Sequence, residues 1–137
     1  EAPLFPKYML GNWWSRYYPY SEQEYEDLLN HFDEENIPLT VAVLDMDWHT
    51  TDVPEELGGG WTGYTWNKEL FPQPELFLKK LHRRGLRVTL NVHPALGIRS
   101  HECMYEDMAR ELGVETESRQ PIEFDMTDKR FVKAYFK

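Results

Sequence analysis

The chain has 137 residues, with 15 basic against 24 acidic side chains, a formal charge of −9 and an isoelectric point near 5.0. That length suits about one domain, and the acidic balance excludes partners held through phosphate contacts, whether nucleic acid or an anionic membrane surface. A lone Cys103 rules out an internal disulfide or a cysteine zinc site, and the 15% aromatic content is too high for a disordered chain.

Residues 1–7 hold two prolines and no periodicity, and read as a connector entering a domain that runs over 8–137. Tyr8–Tyr18, dense in aromatics, predicts a first strand packed on both faces. Ser21 and Glu24 form an S-x-x-E capping box. Apolar positions at Tyr25, Leu28, Leu29 and Phe32 then predict a helix over 22–35, stopped by Asn36 and Pro38. Leu39–Leu44 is almost continuously apolar, the pattern of a buried parallel strand. A long loop over 49–72 follows, with glycines at 58–60. Pro74 opens a second helix through Phe77, Leu78 and Leu81, with Lys79, Lys80, Arg83 and Arg84 near its end and Gly85 as its stop. Leu86–Val92 predicts the third strand, and a third helix spans 102–112 before Gly113. A fourth helix begins at Asp128. Alternating strands and helices predict an α/β fold with a parallel sheet. Three such strands leave two edges uncovered, so the chain reads as part of a larger domain.

The candidate chemistry lies where the apolar strands run out, the rim that binds ligands in barrels and open α/β sheets. Asp45 and Asp47 stand at the C-terminal end of the second strand and, at i and i+2, point to the same face. Trp48 and His49 come next. Asn91 and His93 end the third strand in the same period. A capping or solvated role for the aspartates stands beside a functional one. So does a metal reading that would use Asp45, Asp47, His49 and His93. The segment Gly60-Trp61-Thr62-Gly63-Tyr64-Thr65-Trp66-Asn67 places aromatic rings and amides in a long loop. It reads either as a packed lid or as a sugar pocket, because a pyranose has an apolar C–H face and a polar hydroxyl edge.

Gly11-Asn12-Trp13-Trp14-Ser15-Arg16-Tyr17, Asp45-Met46-Asp47-Trp48-His49, Tyr64-Thr65-Trp66-Asn67 and Asn91-Val92-His93-Pro94 together resemble, in order and spacing, the opening third of the catalytic barrel of family 31 glycoside hydrolases. The resemblance implies a (β/α)8 TIM barrel, of which this chain supplies about three βα units. It also implies retaining hydrolysis of α-linked sugars, most often α-glucosides, without a cofactor or metal. In that pattern Asp45 grips hydroxyls of the sugar at the −1 subsite, with Asp47 beside it. Trp48 and His49 line the rim, Trp66 walls the subsite and His93 ends the next strand. The family's nucleophile and acid/base lie on later strands, so no catalytic residue is expected within this chain.

Retaining hydrolysis needs carboxyl groups about 5–5.5 Å apart across the scissile bond. Asp45 and Asp47, at about 6.5–7 Å between Cα atoms, approach from one side and cannot flank it. By the resemblance an acidic residue is expected in Ala95-Leu96-Gly97 where Leu96 stands, a departure that would change specificity if that position helps select substrate. The expected partners are an α-glycoside or oligosaccharide and the remainder of the barrel, with self-association of the isolated chain. A non-catalytic sugar-binding or structural α/β module is the alternative. With no leader-like or membrane-spanning run, the default compartment is cytoplasmic.

Overall fold

A computed structural model describes residues 2–137, which pack as two compact units. The first comprises residues 2–48 and 66–91, and the second residues 49–65 and 92–137.

The first unit is built on three parallel strands in the order β1 (Trp13–Trp14), β2 (Val41–Leu44) and β3 (Arg87–Leu90). β2 is central: Trp13 pairs with Val41 on one side, and Val41 through Leu44 pair with Arg87 through Leu90 on the other. Its continuous apolar run follows from that position, since Val41, Ala42 and Leu44 are buried while Arg87 on the edge strand is exposed. The first strand is shorter than the aromatic run suggests. Lys7–Leu10 form a 3-10 turn instead, and Trp13 is 44% exposed, so most of that run has no pleated surface to pack against. Trp14 is the ring that goes inward, edge-on to Phe32 at 5.1 Å.

Helix α1 (Glu22–Glu34) starts at Ser21 with the reciprocal capping box in place. The Ser21 hydroxyl accepts from the Glu24 N–H, and the Glu24 carboxylate accepts from the Ser21 N–H at 2.8 Å. Asn36 takes a left-handed φ of 58° just beyond its end. Helix α2 (Pro74–Arg83) has its proline at the first position and Gly85 left-handed past its end. Lys80 near its end and Arg84 at its C-cap do more than complement the helix dipole. Lys80 Nζ donates to Glu26 at 2.7 Å and Glu22 at 3.1 Å, and Arg84 donates to Asp33 at 2.8 Å, tying α2 to α1. Beneath these bridges Tyr25, Phe77 and Leu81 are fully buried. The Tyr25 hydroxyl donates to the Val43 carbonyl at 3.1 Å, so the core ring also satisfies a polar tip. Burial, then the neighbouring Tyr20, pushes its pKa up.

The second unit holds α3 (Tyr105–Leu112) and α4 (Lys129–Tyr135) around Tyr105, Met108, Ala109 and Phe131. Ile98 and Ile122 form an antiparallel bridge in the same cluster. Helix α3 begins three residues later than the 102–112 pattern predicts, because Glu102 is buried and turned to other partners. No helix among the described residues is long and apolar enough to cross a membrane.

Candidate active site

In the first unit, polar side chains converge from the residue that immediately follows each strand. Ser15 follows β1, Asp45 follows β2 and Asn91 follows β3. Asn91 Nδ2 donates to Asp45 Oδ1 at 2.6 Å, and Ser15 Oγ donates to Asp45 Oδ2 at 3.3 Å. Parallel register produces this meeting. Leu44 pairs with Leu90 as the last residues of β2 and β3, so Asp45 and Asn91 are the next rung, and the Asn91 N–H still donates to the Leu44 carbonyl. A carboxylate gripped by neutral donors on both oxygens stays fixed in place and keeps lone pairs for a ligand's hydroxyls.

Asp47 is positioned by a different device from the one predicted. The strand ends at Leu44, and Asp47 has a left-handed φ of 53°. The period-two argument that placed both aspartates on one strand face therefore fails: the chain has already turned. Aspartate is among the residues that tolerate this conformation.

Trp48 is buried at 3% exposure. Its Nε1 donates to the Asn91 carbonyl at 2.8 Å, and its carbonyl accepts from the Asn67 N–H at 2.8 Å. Trp66 meets it edge-on at 5.3 Å and continues to Phe71 at 5.5 Å, then to Phe77 and Tyr25. The half-buried indole of Trp66 thus joins Trp48 to an aromatic string rooted in the core.

In the second unit, His49 is buried at 5% exposure over Gly63. A Cβ at Gly63 would lie 2.1 Å from His49 Nδ1, so only glycine fits beneath the ring. His93 is extended and half-buried, its ring in a tilted stack with Trp61, 4.4 Å between centroids. The segment 97–102 also carries a buried carboxylate absent from the predicted site. Glu102 Oε2 accepts from the Thr65 hydroxyl at 2.5 Å and the Tyr64 N–H at 3.2 Å, and His101 Nε2 lies 3.3 Å from Oε1. Burial, then Tyr135, raises the Tyr64 pKa, with the Glu102 charge adding to it.

Of the predicted residues, Asp45, Asp47, Trp48 and Trp66 lie in the first unit, where Asn91 links Asp45 to Trp48 and Trp48 meets Trp66, while His49 and His93 lie in the second. Sequence reasoning gave no role to Ser15 or Glu102, and placed Trp61 and Thr65 only within the 60–67 loop as a lid or sugar pocket. Ser15 was hidden because the predicted strand ran over Tyr8–Tyr18, whereas the observed one ends at Trp14. Glu102 was hidden because its partners are some 37 residues away along the chain. Among the described residues, no three His, Cys, Asp or Glu side chains group to hold a metal ion.

Parallel βα units with a polar cluster at the C-terminal strand ends define an α/β protein of the barrel class. Comparison with known families matches residues 2–135 to the glycosyl hydrolases family 31 TIM-barrel domain. The chain belongs to that family. It is 29% identical over 97 residues to an alpha-xylosidase of Saccharolobus solfataricus, which covers 71% of this chain and 12% of that protein. It is 30% identical over 110 residues to alpha-glucosidase 2 of Bacillus thermoamyloliquefaciens, covering 80% of this chain and 13% of that protein. The solved xylosidase from Aspergillus niger superposes on 96% of this chain and 18% of its own, with a TM-score of 0.65 at 19% identity, a likeness of fold. The chain thus spans about an eighth of the length of these curated relatives.

Proposed function

We propose that this chain is the substrate-gripping part of a retaining hydrolase of α-glycosides, with α-glucosides as the first choice of substrate. The observation that carries this reading is the Asp45 carboxylate, held by Ser15 and Asn91 at the C-terminal ends of three parallel strands. In this role Asp45 accepts hydrogen bonds from sugar hydroxyls. Asp47 does the same from the turn that follows, and Trp66 offers a ring to the apolar sugar face, with Trp48 bracing it from behind. From the second unit, His49 and His93 are proposed as further substrate contacts.

The chain supplies neither nucleophile nor acid/base in this reading. A retaining pair must flank the scissile bond, whereas Asp45 is already committed to two donors and Asp47 lies two residues on. The names of relatives support a second substrate, an α-xyloside, since the S. solfataricus relative is an alpha-xylosidase. The two sugars differ only in the C6 hydroxymethyl group, so the choice turns on space at that carbon.

The test is turnover of aryl α-glucosides and aryl α-xylosides by the enzyme that contains this chain. Release of the aryl group with retention at the anomeric carbon, unchanged by chelator, is the expected result. The larger kcat/KM names the sugar. Saturable sugar binding without any turnover would replace this reading with that of a binding module.

A further inference from the structure

We propose that Trp61 and His93 form a sugar-stacking platform, a binding surface for the apolar C–H face of a pyranose ring, with Glu102 as the residue that positions it. The proposal rests on the α-glycoside reading above and adds to it a contact on the second unit that uses no carboxylate on the sugar.

The starting observation is a contrast along a few residues. Trp61 is 52% exposed, while Gly60, Thr62 and Gly63 around it are all buried. A single exposed aromatic is ordinary on a protein surface. An exposed indole on an anchored backbone is less so, and here the anchors can be named. Gly60 has a left-handed φ of 72°, and a Cβ there would lie 2.0 Å from the Thr51 carbonyl oxygen, so the chain passes where no other residue fits. The Thr62 hydroxyl oxygen accepts from the Leu96 N–H at 3.3 Å. The Thr65 N-terminal neighbour is held as well, since Glu102 Oε2 accepts from the Tyr64 N–H and from the Thr65 hydroxyl. Thr65 Oγ1 in turn accepts from the Cys103 N–H at 2.8 Å.

Glu102 is the member of this set that most needs a reason. A carboxylate 4% exposed is costly unless hydrogen bonds replace its water. Those it has are spent on residues 64 and 65, and they fix the loop that presents Trp61. The indole is then supported by the His93 ring in a tilted stack at 4.4 Å and 39°, and still keeps half of its surface in solvent. A flat π surface fixed before the ligand arrives loses little freedom on binding. Its complement is a ligand with a flat apolar face and a hydroxyl rim, which describes a pyranose. Leu96 belongs to the same local structure: a Cβ on Gly58 would lie 2.6 Å from its side chain, so the apolar residue found in place of an expected acid packs against the glycine turn.

The test uses the full enzyme containing this chain, labelled with 5-fluorotryptophan, with Trp61→Phe assigning the missing resonance. Methyl α-glucoside and methyl α-xyloside are the probes. The expected result is a saturable shift of the Trp61 resonance by at least one of them. Trp61→Ala should raise KM for the preferred aryl α-glycoside about three- to ten-fold with kcat little changed, and Trp61→Phe should recover most of it. Glu102→Gln, which keeps the shape and one acceptor, should broaden the Trp61 resonance and raise KM in the same direction. An unshifted resonance in an enzyme that turns over α-glycosides, or an unchanged KM in Trp61→Ala, overturns the platform and leaves the hydrolase reading standing. A shifted resonance in a protein that turns over no α-glycoside keeps the platform and overturns the hydrolase. Neither shift nor turnover overturns both.

Discussion

Asp45 concentrates the polar demand of the first unit on one side chain. Both of its oxygens are occupied by protein donors from neighbouring strand ends, and its remaining lone pairs are what a sugar hydroxyl would use. Asp45→Ala should therefore lower kcat/KM on α-glycosides by about 10²- to 10³-fold, the range of losing a positioned charge-assisted contact, with the melting temperature little changed. Steady-state kinetics beside a thermal melt checks this. An equal fall in stability and activity would make Asp45 a structural residue. Tyr25 tests the core in the same manner. Tyr25→Phe removes the donor to the Val43 carbonyl while keeping the ring, and should cost about 1–2 kcal/mol in denaturant unfolding.

At the scale of the element, the two helices of the first unit illustrate how local and long-range signals divide. The start and stop of α1 are written in adjacent residues: the capping box acts within four positions, and Asn36 bends the chain by its own tolerance of a left-handed φ. The same box makes a prediction about acid. Hydrogen bonds from the Ser21 N–H, then its hydroxyl, hold the Glu24 pKa below the ordinary glutamate value. A carboxyl depressed in the folded state stabilises fully above its unfolded pKa, and that contribution is lost as pH falls through the folded one. Melting temperature should thus decline on acidification below the ordinary glutamate range, and Glu24→Gln should reduce the decline. The strand β1 shows the opposite case. Its aromatic run promises a long strand, yet only Trp13–Trp14 pair with β2, because ring-rich composition reports a surface to be covered and not which neighbour covers it. Packing of α2 depends on that same non-local information. Phe77→Ala, at a fully buried position between Tyr25 and Phe71, should cost about 3–5 kcal/mol.

For the molecule as a whole, the three-stranded sheet has β1 and β3 as edges, and β3 is only half-buried. Unpaired strand edges template association, and a barrel interior is covered only when further strands arrive. The purified 137-residue chain is therefore expected to self-associate as concentration rises. Sedimentation velocity across a concentration series measures this. A sharp, monomeric unfolding transition independent of concentration would show that the chain needs no such cover.

Much of this protein was settled by its residues alone. Alternating apolar strands and capped helices dictate an α/β chain, and the buried run of β2 dictates a parallel interior strand, because both arise from backbone preference and burial over a few neighbouring positions. The glycines at 85 and 113 mark helix ends for the same local reason. Asp45 was legible too, since the apolar run of β2 stops at Leu44 in sequence and structure alike, whereas β1 and β3 end earlier than their apolar patterns suggest. Only the tertiary structure decided what the polar positions after the strands do. Asp45 meets Ser15 and Asn91 across 30 and 46 residues of chain, and Glu102 meets Thr65 across 37. Those meetings depend on strand register and loop path, long-range quantities that no window of sequence contains.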